Sequence, residues 1–459
     1  MGTYVHWREA AKTLRKTLGI GVGFVLMAIT LLTLANALPT GRMAAHVSES
    51  MPMYLHEGDR PSETPGSPGS IRDNFTEAIM LNMAVYPSSS KPFENALSSH
   101  LLPGDPSASV DTARVVKLGY VLENRTNPEF VAKADTYTRY WHGYLVLLKP
   151  LLLFLNPAEI RYLNLVCQLA LVSLTCVLIY RVLSPKMVLA FLGTYALLNP
   201  VTTALNFQFY SVFYCAVLGT LTVLVCHQYF QKHRLWPAFF LLLGMSVSFL
   251  DFLTYPVLAL GIPLAAYVMV CKESNLQKVI GNSIVWAVGY VGFWSLKWIL
   301  AAIFAGQPLS SVKKYILFRL DSSGRGAELA SQNAFSRFDG VKDNLDHITQ
   351  SSSAIAVFLI SALVLLMLLL LRIVRFGRST AFTKRDNLAI AVIAIYPFVW
   401  YLVVLNHSVI HSWFTYRDLG VTIFALLLLL LQFITLGSRA EYLEDVYSRE
   451  EKSLSITYK

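Results

Sequence analysis

Residues able to do chemistry gather in two polar stretches. The first, "IRDNFTEAIMLNMA" at 71–84, sets Asp73 and Glu77 four residues apart ahead of an apolar run. On a helix the two carboxylates share a face, and either is suited to take a proton from a weak hydroxyl nucleophile. The same spacing also starts a helix, with Asp73 as N-cap and Glu77 in the first turn facing the positive end of the dipole. The second stretch, "NHSVIHSWFTYR" at 406–417, spaces His407 and His411 four apart and ends on Arg417. Two imidazoles on one helical face and a forked guanidinium suit an anion such as phosphate. Zinc is disfavoured, because the segment lacks the Glu of HExxH and a third ligand, and no cofactor is implied.

Three further ionisable residues interrupt apolar sequence: Lys149, Asp251 and Lys297. Charges in such surroundings default to a functional role. Asp251, in "LDFLTYP", reads as an accessory residue for an acceptor or a metal. Lys297, in "GFWSLKWIL", reads as reaching an anionic substrate or pairing with an acid. Lys149 reads as snorkelling from an interface.

The elements that must position these groups are membrane helices. Of 459 residues, 55% are hydrophobic and only 14% charged, far from the usual globular mix. The fold class expected is an all-α polytopic membrane protein. The formal charge of +10 is then topology information rather than a sign of nucleic-acid binding, since Lys and Arg crowd cytoplasmic loops. Runs near the spanning length of roughly 20 residues predict ten spans, at about 17–38, 160–181, 186–204, 209–229, 236–250, 254–271, 279–304, 353–374, 387–405 and 413–435. Short basic loops fall on one side. Both termini are therefore expected in the cytoplasm, and residues 39–140, with nine Lys/Arg against twelve Asp/Glu, outside.

The domain organisation expected is a cytoplasmic N-terminus and first span (1–38), an extracytoplasmic loop with an interfacial helix (39–159), and spans two to seven (160–304). A second outer loop (305–352), spans eight to ten (353–435) and a cytoplasmic tail (436–459) follow. The apolar run 143–155 is short for a span and suits a helix lying in the interface. "LSSVKKYILFRL" at 309–320 has the profile of a basic amphipathic helix on the membrane surface. All five cysteines lie in or at the ends of spans, so no disulfide framework is expected. No P-loop, GxSxG or dinucleotide motif occurs, and no repeat of fixed period.

The layout resembles the GT-C superfamily of membrane glycosyltransferases. The resemblance is carried by "RDNFTEAIMLNMA" early in the first outer loop, and by "YWHGYLVLLKPLLLFLNPAEIRYLN", a polar-aromatic-Pro segment, a hydrophobic helix and an Arg entering the next span. It covers roughly the first 200 residues. Asn74 stands where a second acid often follows the first in such proteins.

The resemblance implies inverting transfer from a polyprenyl-phosphate sugar to a glycan or lipid-linked acceptor, on the outer face of what is expected to be a bacterial plasma membrane. It implies Asp73, then Glu77, as catalytic acids, with Arg417, His407, His411 and Lys297 toward the donor phosphate. Asp251, Arg139 and His142 are acceptor or accessory residues on that reading. A surface-polysaccharide polymerase or flippase, or another membrane transporter, is the alternative class.

Overall fold

A computed structural model describes residues 2–87, 91–107, 109, 112–271, 274–309, 336, 338–349, 363, 367, 374–376 and 383–436. Helix α1 (Gly2–Ala37) leads into a helical loop unit of α2 (Gly41–Glu49), α3 (Met51–Glu57), α4 (Asn74–Val85), α5 (Pro92–Ser98), α6 (Arg114–Asn124), α7 (Pro128–Val131) and α8 (Leu145–Leu152). An antiparallel pair, β1 (His100–Leu101) with β2 (Asp135–Thr136), ties its middle.

The chain then runs through α9 (Pro157–Val182), α10 (Pro185–Leu197), α11 (Pro200–Ala204), α12 (Phe207–His233), α13 (Trp236–Leu250), α14 (Val257–Val270) and α15 (Leu276–Ala305). Later described elements are α16 (Asp339–Thr349), α17 (Lys384–Val403), α18 (Leu405–Ile410), α19 (Ser412–Thr415) and α20 (Leu419–Leu431), and a ribbon of β3 (Val374–Phe376) and β4 (Ile434–Leu436).

Among the described residues, six helical stretches are long and apolar enough to cross a bilayer: Glu9–Ala37, Pro157–Val182, Phe207–His233, Leu276–Ala305, Lys384–Val403 and Ser412–Leu431. Three of the expected spans, 186–204, 236–250 and 254–271, instead form α10, α13 and α14, of 13, 15 and 14 residues. At 1.5 Å per residue these reach only about 20–22 Å, against a hydrocarbon core of about 30 Å. The apolar runs were read correctly, but Asn199–Pro200 and the turn around Asp251 end the helices early. The span expected at 353–374 lies outside the described residues apart from positions 363, 367 and 374. The surface helix expected at 309–320 and the tail at 437–459 lie outside them as well.

Local sequence explains most helix starts. Asn156 and Glu159 form a reciprocal capping box at α9 with Pro157 in the first position, Thr383 and Asp386 do the same for α17, and Asn275 caps α15. One spanning helix and one shorter one are capped from far away instead. The first N–H of α12, at Phe207, donates 2.6 Å to Glu77 Oε1. That of Leu258 in α14 donates 3.0 Å to Asp418 Oδ1. A buried carboxylate at a helix N-terminus meets both an orphan donor and the dipole.

Helices α13 and α15 pack backbone to backbone. A Cβ on Gly244 would lie 2.2 Å from the Trp286 carbonyl oxygen, and one on Gly289 would lie 2.4 Å from that of Leu241. Small residues allow that approach where lipid supplies no hydrophobic drive. Pro237 and Val285 border one cleft while Leu241 meets Gly289, so the two helices run parallel and the longer α15 overshoots α13 at both ends.

The loop unit fills the recess above α13. Gly143 N–H donates to Phe249 O at 2.8 Å, and Trp141 Nε1 donates to Phe293 O at 2.7 Å. In the same recess α8 is short and lies against α1 and α4, with Leu147 and Phe154 exposed. Lys149 is a correction: it is 1% exposed and faces inward rather than snorkelling.

Candidate functional site

Helix α4 begins as its sequence suggests. Asp73 is the N-cap: Thr76 N–H donates to Oδ1 at 3.1 Å and the Thr76 hydroxyl to Oδ2 at 2.6 Å. Arg60 Nη2 stands 3.7 Å from Oδ1. Asp73 is 2% exposed, and burial pushes its carboxyl above the ordinary range against the pull of Arg60 and Thr76. A carboxylate raised toward neutral pH with acceptor capacity left is a competent base.

Glu77, one turn on, is saturated. Its Oε2 accepts from Arg161 Nη2 and from the Tyr54 hydroxyl at 2.9 Å, and its Oε1 accepts from Phe207. Arg161 also donates to Glu57 at 3.0 Å and to Asn74 Oδ1 at 2.7 Å. Glu57 in turn accepts from Asn74 and Arg72, each at 2.9 Å. Burial alone would raise the Glu57 carboxyl, but Arg161, Asn74 and Arg72 together hold it below its usual value. This network joins α3, α4, α9 and α12. Asn74 is wholly inside it.

The second stretch sits against the turn that precedes α4. Arg417 is fully buried: Nε donates to Leu198 O at 3.1 Å, Nη2 donates to Gly69 O at 3.0 Å, and the guanidinium lies 4.4 Å from the Phe209 ring centre. It holds two carbonyls and an aromatic face, while its Nη1 is buried with no hydrogen-bond partner among the described residues. His407 is buried and its Nε2 donates to the Leu253 carbonyl, while the His407 and His411 rings stand 4.7 Å apart.

Asp251 adjoins the second stretch, since the turn it closes offers the Leu253 carbonyl to His407, while Lys297, His142 and Arg139 make other contacts. Asp251 accepts from Thr254 N–H at 2.8 Å and from its hydroxyl at 2.6 Å, closing the α13–α14 turn. Lys297 donates to Ala96 O at 2.9 Å and Ser99 Oγ at 3.2 Å, tying α15 to α5. His142 adopts a left-handed φ of 56° and binds Tyr137 O through Nε2 at 2.8 Å. Burial and the nearby Lys297 push its imidazole down to about 3, so it is neutral with Nε2 carrying the proton. Arg139 is exposed, and its carbonyl accepts from Trp294 at 2.6 Å and Trp298 at 3.2 Å.

Sequence gives no sign of two cations near the start of α4, Arg60 beside Asp73 and Arg114 on the Phe75 ring. The Arg60 and Arg114 guanidinium carbons lie 5.5 and 5.0 Å from the Phe75 ring centre. Arg60 also lies 4.5 Å from that of Trp413, and its side chain is 40% exposed. Thus Asp73 and the 406–417 stretch do meet, through Arg60 and Trp413 rather than through Arg417.

Below α4 opens an apolar groove of about 1080 Å³. Its walls come from α8, α9, α12 and α13, and its lining follows one stripe of α12 through Phe207, Tyr210, Tyr214 and Leu218 to Thr222, with Phe230 beyond. From Phe207 to Phe230 the helix rises about 34 Å, the full thickness of a hydrocarbon core. The end nearest the loop unit is closed by Met80 of α4 and by Tyr210, whose hydroxyl has no hydrogen-bond partner among the described residues.

No protein-family model, curated protein or solved structure matches this chain. The functional reading therefore rests on the groove and the residues at its end.

Proposed function

We propose that the protein is a membrane glycosyltransferase of GT-C type that uses a polyprenyl-phosphate sugar. The observation that carries this reading is the groove. It is apolar over a length no single leaflet provides, which suits one long isoprenoid chain better than a two-chain phospholipid. It ends at Met80, seven residues or about 10 Å along α4 from Asp73.

A phosphate and one sugar would bridge that interval. In the reaction, Asp73 takes the proton of the acceptor hydroxyl as that oxygen attacks C1 of the sugar. The C1–O bond to phosphate breaks with inversion, and the phosphate leaves with the electron pair. Arg60, beside Asp73, and Arg114, which shares the Phe75 ring with it, stabilise that growing charge. Glu77 positions the site by fixing α4 to α9 and α12.

The experiment fills the groove. Leu218, 46% exposed in its wall, is replaced by Trp, and donors with long and short isoprenoid chains are compared. Displacing two or more CH₂ groups at about 0.8 kcal/mol each should raise the KM for the long-chain donor roughly tenfold. The short-chain donor should be almost unaffected. Equal effects on both, or no binding of any polyprenyl-phosphate sugar by the wild-type protein, would reject the reading.

The topology we propose to go with it keeps the ten spans that hydropathy predicts; among the described residues the short α10, α13 and α14 join the six long helices, each crossing together with its connecting turn. Both termini are cytoplasmic and the loop unit is outside, as the loop charges suggest. A cysteine placed at exposed Thr64 should then react with an impermeant maleimide added outside intact cells. Labelling only after permeabilisation would overturn the orientation.

A further inference from the structure

The end of the molecule opposite the loop unit carries a charged pocket that the proposed transfer reaction does not use. Helix α1 enters the membrane there with Lys12, Arg15 and Lys16 on one face, and α12 ends there with Lys232 and Arg234. These five cations line one open pocket of about 520 Å³ with a single carboxylate, Glu9, which pairs with Arg234 at 2.9 Å and Lys12 at 3.5 Å. Among the described residues no acid pairs with Arg15, Lys16 or Lys232.

A second cleft of about 360 Å³ shares Glu9 and Arg234 with the first and continues along the membrane wall between Leu14, Thr17, Pro237 and Val285. Leu14 is 59% exposed within it. Arg234 itself ends α12 in the left-handed region, at φ 56°. Glycine takes that helix-ending position without strain, whereas a side chain there costs stability. A cation is thus held at a strained position where the basic and apolar clefts meet.

We propose that these two clefts form a site for an anionic phospholipid from the leaflet at that face. The phosphate and headgroup sit among Arg15, Lys16 and Lys232, and an acyl chain lies along Leu14 and Val285. Charge and shape both select the occupant. Surplus positive charge requires an anionic head, and an apolar cleft continuous with it requires a tail. A free phosphorylated solute would leave the second cleft bare.

The test uses the full chain, stripped of lipid in a neutral detergent and titrated with phosphatidylglycerol or phosphatidylcholine of matched acyl chains. Phosphatidylglycerol should raise the melting temperature, with a rise that shrinks as salt is added, and phosphatidylcholine should not. In a triple variant, Arg15→Ala with Lys16→Ala and Lys232→Ala, the apparent affinity should fall at least about tenfold.

Native mass spectrometry supplies a readout independent of the variant's own stability. Fewer phosphatidylglycerol molecules retained by the triple variant supports the site, and an equal number overturns it. An equal rise with phosphatidylcholine, or an equal rise with glycerol 3-phosphate alone, would also overturn it.

Discussion

Replacing Asp73 with Asn is expected to lower turnover by roughly 10² to 10⁴, the span supplied by a positioned general base, while the fold persists. Asn keeps an oxygen for Thr76 N–H and caps almost as well, so the loss of the cap should cost at most about 1 kcal/mol. The sign of the pH effect follows from burial. The native carboxyl titrates above its unfolded value, so its ionised form destabilises the fold at neutral pH, and that cost disappears as pH falls through the native pKa. Asn removes the cost as well, so melting temperature at neutral pH should stay close to wild type.

Only the deprotonated carboxylate takes a proton. Wild-type turnover should therefore fall through an acid limb placed above the ordinary carboxylate range, and that limb should vanish in the variant. An Asp73→Asn protein that binds donor and turns over at near wild-type rate, with the limb intact, would leave Asp73 as a helix cap alone.

Replacing Arg161 with Ala should give the largest loss of stability of any single change in the network, roughly 3–5 kcal/mol. The Arg161 side chain is 4% exposed and its partner Glu77 is fully buried, so truncation strands a carboxylate that also caps α12. Equilibrium unfolding in mixed micelles would read the loss. Pairing Arg161→Met with Glu77→Gln should recover part of it, because an apolar partner facing a neutral amide strands no charge. A loss under about 1 kcal/mol, or a double variant no better than the single, would show that the network contributes little.

Those two residues also mark what the sequence made legible. Asp73 declares itself as a cap because the groups it serves lie within three residues, and the box of Asn156 and Glu159 is readable for the same reason. Glu77 serves a helix start 130 residues away, and Asp418 one 160 residues away. Nothing local distinguishes such tertiary caps from catalytic acids. Arg417 reads as a phosphate fork because its donors are visible in sequence, whereas the carbonyls of Leu198 and Gly69 that take Nε and Nη2 are not. Arg60 lies in a polar stretch of no regular period, and Arg114 is brought to it because Asp59 caps α6 from a distance and both guanidiniums share the Phe75 ring. Spans were legible by hydropathy, while their lengths depended on where turns fall.

The short α13–α14 hairpin bears on how the chain is made. Neither helix reaches across a hydrocarbon core, and nearly every residue of α14 is buried by neighbours. A hairpin leaving a ribosome-bound insertion channel would expose the unpaired groups of its turn to lipid, at several kcal/mol for each one unsatisfied. The turn carbonyls of Phe249 and Leu250 are met by Gly143 and Ser211, made earlier, whereas that of Leu253 waits for His407, 154 residues further on. A nascent chain ending before Leu405 should therefore hold the hairpin in the bilayer less firmly than the full chain does. For biogenesis, the late 406–417 stretch is the piece that completes a hairpin made long before it.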